Sequence, residues 1–363
     1  MTYFPDTVPR CAACSITLER RAVIGRLADP DLFLRSPEVI RTSRGQYIAA
    51  VPNVERQGIS VFDRGGRFVR TIGGYGGGPG EFRRVSTIAL GANDSLYVVH
   101  DYFRMSVFDS TGHYVRGVPH LGARVDGIMP VQGALVVNAN VRSDELVGIP
   151  LHVVDLDGRH LRAFGDLNVM APYGGTDRVF NAGDGDGRTV WVAENNQYRF
   201  DRIDTYGRKL RVIGVAAPMS WYSITYMTRE DYLTHNARAK AVVVSSSPEK
   251  VARPAWPPPF RVSGVHAPGN GLLFVSLNVP ADEWEQVELE YEDLPGEVRL
   301  TDGARGKLYR TIIDVIDIES GEVRARTQVD GQAYLTNDGT LVRIAVTDAG
   351  LIQVETYAVQ FTS

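Results

Sequence analysis

One short phrase recurs along this chain and restricts the folds that it can adopt. A run of β-branched or aromatic residues ends in Asp, and a Gly follows three or four positions later. The turns begin at Asp63, Asp109, Asp155, Asp204 and Asp317, and the last copy carries one extra residue. Asp accepts hydrogen bonds from the backbone N–H groups just ahead of it, and Gly supplies the positive φ of a tight turn. The phrase therefore predicts a β-hairpin in each copy.

The spacing of the copies indicates the size of the repeated unit. The first four turn aspartates lie 46, 46 and 49 residues apart. A second hairpin pattern precedes each phrase, so each unit has four strands with period-two alternation. A four-stranded propeller blade takes about 40–50 residues. The sequence therefore predicts an all-β propeller with four antiparallel strands per blade.

The two ends of the chain complete each other in this prediction. The last unit has strand patterns at 333–336, 341–346 and 351–359 but lacks a fourth strand. The start of the chain has an unassigned strand pattern at 15–25 that resembles the fourth strand of the other units. Placing it in the last blade protects an exposed edge. We expect a six-bladed propeller, closed by this N-terminal strand, with residues 1–363 forming one domain.

One blade junction carries a family resemblance. Residues 70–82 read Arg-Thr-Ile-Gly-Gly-Tyr-Gly-Gly-Gly-Pro-Gly-Glu-Phe. This segment resembles the junction between consecutive blades in six-bladed propellers of the NHL-like superfamily. The resemblance implies the fold. It leaves the function open, because members of this superfamily include binding scaffolds, lyases and lactone hydrolases.

Charge and hydropathy exclude some classes of partner. The formal net charge is −4, which gives no electrostatic reason to expect nucleic acid or an anionic membrane surface. No segment approaches the roughly 18 apolar residues of a transmembrane helix. Residues 1–10 lack the basic stretch and apolar core of a signal peptide, so export would require a leader outside this numbering.

Three long connections are expected on one face of the ring. They are residues 142–150, 215–259 and 280–307, and the last of these is rich in Asp and Glu. Connections between second and third strands, and between blades, share a face of a propeller. Long loops on a rigid scaffold are common places for binding residues. We therefore expect the functional surface on this face.

Large aromatic side chains in these connections are the candidate partner-binding residues. Exposed aromatic residues often contribute strongly to protein interfaces. The alternative is that they form a small local core beneath the long insertion. The candidates are Trp221, Tyr222, Tyr226, Tyr232, Trp256 and Trp284.

Polar residues that end two second strands are the candidates for a metal site. They are His100 and Asp101 in the second unit, and Glu194 and Asn195 in the fourth. The resemblance to six-bladed lactonases implies a catalytic metal held by Glu, Asn and Asp at such positions. In that case we expect calcium or zinc. The alternative is that these residues only terminate strands.

The two cysteines, Cys11 and Cys14, lie in a Cys-Ala-Ala-Cys motif. The motif precedes a strand instead of opening a helix, which does not favour thioredoxin-like chemistry. Zinc binding would need further ligands, and none is close in sequence. A disulfide in an oxidising compartment is the favoured interpretation, with a reduced inert pair or a metal or redox role as alternatives.

These observations favour a scaffold over an enzyme. We expect a non-catalytic, extracytoplasmic propeller without a cofactor, which binds a protein partner; an accessory subunit of a membrane-bound complex is one version. A cytoplasmic location stays an alternative. A metal-dependent hydrolase, lactonase or lyase at the mouth of the central channel is the second hypothesis, and a small-ligand or glycan binder is the third.

Overall fold

The structure is a computed structural model of the chain. The residues that it describes are 9–26, 29, 33, 35–52, 54–55, 58–101, 103–118, 124–140, 151–164, 179–183, 187–194, 197–218, 258, 260–294, 297–347 and 349–363. Within these residues the architecture is almost entirely β.

Six four-stranded antiparallel sheets form the six blades of a propeller. The chain begins with β1 (Ser15–Ile24). Blade one consists of β2 (Glu38–Arg41), β3 (Tyr47–Ala50), β4 (Ile59–Phe62) and β5 (Phe68–Ile72). Blade two consists of β6 (Val85–Leu90), β7 (Leu96–His100), β8 (Arg104–Phe108) and β9 (Tyr114–Val118). Blade three consists of β10 (Arg124–Val131), β11 (Ala134–Asn140), β12 (Leu151–Asp155) and β13 (His160–Phe164).

The remaining blades follow the same order, with one insertion. Blade four consists of β14 (Val179–Gly183), β15 (Thr189–Glu194), β16 (Gln197–Asp204) and β17 (Lys209–Pro218). Blade five consists of β18 (Arg261–His266), β19 (Leu272–Pro280), β22 (Tyr309–Asp317) and β23 (Val323–Asp330). Its insertion contains β20 (Tyr291–Leu294), β21 (Glu297–Leu300) and the helix α1 (Asp302–Lys307). Blade six consists of β24 (Ala333–Leu335), β25 (Thr340–Val346), β26 (Ile352–Thr362) and β1.

The expected closure of the ring is confirmed. β1 pairs antiparallel with β26 from Ser15 opposite Thr362 to Ile24 opposite Val354, with a bulge at Arg21. The N-terminal strand is therefore the outermost strand of the last blade, and the edge of β26 is covered.

The repeated turns adopt the predicted geometry. In blade one, Asp63 Oδ1 accepts hydrogen bonds from the N–H groups of Gly65 and Arg67, each at 2.9 Å. Gly66 follows with φ +79°. Equivalent bonds to a turn Asp occur in blades two, three, four and five. The carboxylate thus satisfies backbone donors that the tight turn leaves unpaired.

The hydrophobic core lies between blades. Middle strands such as β4 are buried on both faces. The outer strands, such as β5, alternate between exposed and covered positions. Large side chains fill the spaces between sheets; Phe62 packs toward blade six and Trp191 toward blade five.

Polar side chains connect the innermost strands of neighbouring blades. The Tyr334 hydroxyl of blade six accepts a 2.8 Å hydrogen bond from the Val39 N–H of blade one. Glu38 accepts bonds from the Ile88 N–H and the Thr87 hydroxyl of blade two, at 3.2 and 3.1 Å. These side chains satisfy backbone groups at the free edges of the inner strands, which would otherwise lack partners.

Candidate partner-binding face

Strand alternation gives the ring two different faces. The connections between second and third strands, and those between blades, lie on one side, which we call the decorated face. The turns between first and second strands, and between third and fourth strands, lie on the other side, which we call the plain face. A hydrogen bond from the Ser36 N–H to Asp302 Oδ2, at 3.1 Å, joins two connections of the decorated face.

The insertion of blade five is a folded arm on the decorated face. We call residues 281–308 the acidic arm. Its two ends meet where the Ala281 N–H donates to the Leu308 carbonyl at 2.9 Å. Thr301 caps α1, its hydroxyl accepting from the Ala304 N–H at 3.2 Å. Because Ala304 and Leu308 are buried, the base of the arm is fixed on the ring.

The outer part of the acidic arm presents carboxylates to solvent. Glu283, Glu285, Glu288 and Glu290 are all exposed. Asp282 pairs with Arg310 at 3.0 Å, close to the base of the arm. Trp284, a predicted partner-binding residue, lies in a short 3-10 helix among these carboxylates and is half-buried. The arm therefore combines a fixed base with a negatively charged surface.

Side chains from opposite blades meet near the axis on the plain face. Blades three and six lie on opposite sides of a six-bladed ring. The Asn337 side-chain amide of blade six nevertheless lies 3.8 Å from the Met129 sulfur of blade three. Asp338, in the same turn as Asn337, pairs with Arg41 of blade one at 3.5 Å. Access to the centre at this level is therefore obstructed from the plain face.

The glycine-rich junction between blades one and two forms part of the decorated face. Tyr75 donates its hydroxyl proton to Glu55 at 2.9 Å, and Arg84 pairs with the same carboxylate at 3.6 Å. Tyr75 and Phe103 are 49% and 41% exposed. These aromatic side chains extend the candidate surface beyond the acidic arm, and they were not among the residues predicted from the sequence.

His100 and Asp101, two of the candidate metal ligands, make hydrogen bonds inside blade two. His100 Nε2 lies 3.0 Å from Ser106 Oγ, and Nδ1 lies 3.3 Å from Asp101 Oδ2. Asp101 Oδ1 accepts from the N–H groups of Arg83 and Arg84, both at 3.2 Å. Burial lowers the pKa of His100, although the neighbouring Asp101 opposes this effect. Burial therefore favours the neutral form of His100, which connects β7 to the blade junction.

This Ser, His and Asp series has the atom order of a hydrolase triad, but its surroundings differ. Ser106 and His100 are each 4% exposed, between blades one and two. A nucleophile must reach a substrate carbonyl, with donors placed for the developing oxyanion. Because Ser106 is covered by packed strands, this arrangement favours a role in joining the blades.

The side chains of the other two predicted ligands are not among those that the structure describes. Glu194 ends β15, and its side chain lies outside the described residues, as does Asn195. Among the residues that are described, no group of three or more His, Cys, Asp or Glu side chains is arranged to hold a metal ion. The metal site stays a prediction.

Most of the candidate aromatic residues also lie outside the described part of the chain. They are Trp221, Tyr222, Tyr226, Tyr232 and Trp256. β17 continues to Pro218, within the first residues of the insertion expected at 215–259, and almost all of the rest of that insertion lies outside the described residues. The insertion expected at 142–150 lies outside the described residues.

Cys11 and Cys14 lie side by side ahead of β1. Their Cα atoms are 5.2 Å apart and their sulfur atoms are within bonding distance. The preceding residue, Arg10, donates its N–H to the Val323 carbonyl at 3.0 Å and pairs with Glu322 at 3.3 Å. The pair therefore lies between β1 of blade six and a contact with blade five.

Comparison with known families and structures identifies the same fold. A family model described as a 6-bladed beta-propeller, DUF5128, matches residues 31–122, which include blades one and two. No curated protein matches the chain. In the described residues, no helix is both long and apolar enough to cross a membrane.

Two solved structures are similar over nearly the whole chain. One is a member of the DUF4221 family from Bacteroides vulgatus, 10% identical with a TM-score of 0.56, covering 96% of this chain and 99% of that one. The other is a Bacteroides fragilis protein whose description is that of an exported protein. It is 11% identical with a TM-score of 0.54, and the match covers 98% of this chain and 97% of that one. At these identities the likeness shows the fold alone.

Proposed function

We propose that this chain is a non-catalytic propeller scaffold of the NHL-like type that binds a protein partner through its decorated face. The acidic arm is the observation that carries the proposal. A solvated carboxylate cluster attracts and orients a basic surface, which speeds association and selects among partners. The partner we infer therefore presents Lys and Arg side chains to the arm.

The fixed base of the arm supports this role. Three interactions fix the base of the arm: the hydrogen bond between Ala281 and Leu308, the Thr301 cap of α1, and the bond between Ser36 and Asp302. A surface that is already ordered loses less conformational entropy when a partner binds. The half-buried Trp284 provides apolar area among the charges, and Trp is enriched among residues that dominate interface energetics.

We also propose that the protein works outside the cytoplasm, with Cys11 and Cys14 joined as a disulfide. Their adjacent placement supports this, since stable disulfides occur mainly in oxidising compartments. One structural relative, from Bacteroides fragilis, is described as an exported protein, which agrees with a location outside the cytoplasm. An accessory subunit docked on a membrane-bound complex is the version that we favour.

Charge reversal on the arm tests the proposal. We expect the wild-type chain to retain a partner protein when it is purified from an envelope fraction at low salt. Glu283→Lys with Glu288→Lys should reduce that retention at least tenfold, because it replaces two attractive charges with repulsive ones. Raising the salt concentration should weaken the wild-type complex and leave the variant little changed.

A matched double variant on the plain face is the control. Asp157→Lys with Glu319→Lys changes the net charge equally at two exposed turn positions, and it should retain the partner like wild type. Equal retention by the arm variant and the wild type would contradict the proposal, and so would a wild-type chain that retains no protein.

A further inference from the structure

Two histidines meet in blade three. His152 lies in β12 and His160 begins β13, eight residues later. Nδ1 of His152 lies 3.1 Å from Nε2 of His160. The ring centroids are 5.3 Å apart and the ring planes are inclined by 58°. The two rings therefore face each other through nitrogen atoms instead of stacking.

Strand register explains this approach. His160 lies opposite Val154, which is two residues after His152 on the neighbouring strand. Residues two apart on a strand share a face, so the two imidazoles are diagonal neighbours on the same side of the sheet. Eight residues and a hairpin separate them in sequence, and no linear metal-binding motif marks the pair.

Other blades place different side chains at these two register positions. Blade four has Asp201 and Lys209, whose charges pair at 3.3 Å. Blade two has Ser106 and Tyr114. In blade four, the Asp201 carboxylate and the Lys209 ammonium form an ion pair. In blade three, two facing imidazole nitrogens must share a proton or a metal ion, because two lone pairs repel each other.

We propose that His152 and His160 form a two-histidine site for a divalent transition metal ion such as Zn²⁺ or Cu²⁺. Imidazole nitrogen is a common ligand for both metals. Metal–nitrogen bonds of about 2.05 Å across the 3.1 Å separation give an N–metal–N angle of about 98°. That angle lies between the roughly 90° of square-planar and the roughly 109° of tetrahedral coordination.

Burial gives the two ligands different roles. His152 is 1% exposed, so the packed blades hold its ring in place. His160 is exposed, so its ring can turn to direct its lone pair at the ion. Water fills the remaining coordination positions on the solvent side. For both nitrogens to bind the metal, the ring proton of His160 must lie on Nδ1, so the shared proton moves within that ring. Protons compete with the ion for the two nitrogens, so binding weakens at acid pH.

Calorimetric titration of the full chain with zinc chloride tests the site. We expect one equivalent to bind with micromolar affinity at pH 7.5. His160→Tyr introduces the residue type that blade two has at this position, and it should weaken binding at least tenfold. His113→Ala is the control, because His113 is exposed and its ring bonds to Thr111 instead of a second histidine. This control should bind zinc like wild type.

Electron paramagnetic resonance of the Cu²⁺-loaded protein gives a second readout. The wild type should show hyperfine structure from two imidazole nitrogens, and His160→Tyr should lose it. His160→Gln checks the result with a different side chain, and circular dichroism verifies that both variants keep the fold. Unchanged zinc affinity and copper spectra in both variants, or no metal binding by the wild type, would overturn the proposal.

Discussion

Asp317 shows what the repeated turn residue contributes in one blade. Its Oδ1 accepts from the N–H groups of Ser320 and Glu319, at 2.8 and 3.0 Å, and from the Ser320 hydroxyl. The bond from the Ser320 N–H is the largest cause that holds the pKa of Asp317 below its usual range, with the Ser320 hydroxyl adding to it against the opposing effect of burial. The turn therefore binds the charged carboxylate better than the neutral acid.

This preference predicts how stability depends on pH. The folded-state pKa lies below the unfolded value of about 3.9. The stabilisation is therefore present above that pH and is lost as the pH falls through the folded-state pKa. Asp317→Asn should lose less stability than wild type between about pH 5 and pH 2.5, measured as urea midpoints. Glu319→Gln is the control and should follow the wild-type curve; parallel curves for all three proteins would refute the prediction.

At the scale of the element, β1 couples the two ends of the chain. Ile16, Ala22 and Ile24 are buried, while Ser15 and Thr17 are exposed. The buried side chains of the second half pack against those of β26 and blade one. A strand that is distant in sequence therefore supplies one wall of the last blade.

A pair of substitutions in β1 measures that coupling. Ile24→Ala removes a fully buried side chain and should destabilise the protein by about 2–5 kcal/mol. Thr17→Ala, on the exposed side of the same strand, should change stability by less than about 0.5 kcal/mol. If the ring unfolds as one domain, Ile24→Ala shifts a single urea transition. A separate early transition in that variant would show that β1 detaches independently.

Some elements could be predicted from the sequence and others could not, for physical reasons. The turn phrase and the strand at 15–25 carry local signals, Asp and Gly spacing and period-two alternation, that survive without tertiary information. Helix α1 has two glycines in six residues and depends on its Thr301 cap and on packing. The pairing of His152 with His160 depends on strand register across a hairpin. Contacts of that kind are fixed only by the fold.

At the scale of the whole molecule, the repeated Asp–Gly turns between third and fourth strands also join neighbouring blades to each other. A Cβ atom built on Gly66 would lie 2.3 Å from the Val23 carbonyl oxygen in β1 of blade six. On Gly112 it would approach Arg70 of blade one, and on Gly207 it would approach Phe164 of blade three. Each of these turns contacts the outer strand of the preceding blade closely. Gly is therefore required there for two reasons: its positive φ, and the lack of space for a Cβ atom against the neighbouring blade.

Two glycines with the same backbone conformation separate these requirements. Gly66 has φ +79° and Gly350 has φ +77°, but a Cβ on Gly350 would meet nothing within 4 Å. Substitution by Ala should cost about 1–2 kcal/mol at either position for the left-handed backbone. Gly66→Ala should cost about 1–3 kcal/mol more, because the added methyl forces blade one away from the strand that closes the ring. Urea unfolding measures both values, and equal losses would show that the contact between the first and last blades contributes nothing to the requirement for Gly.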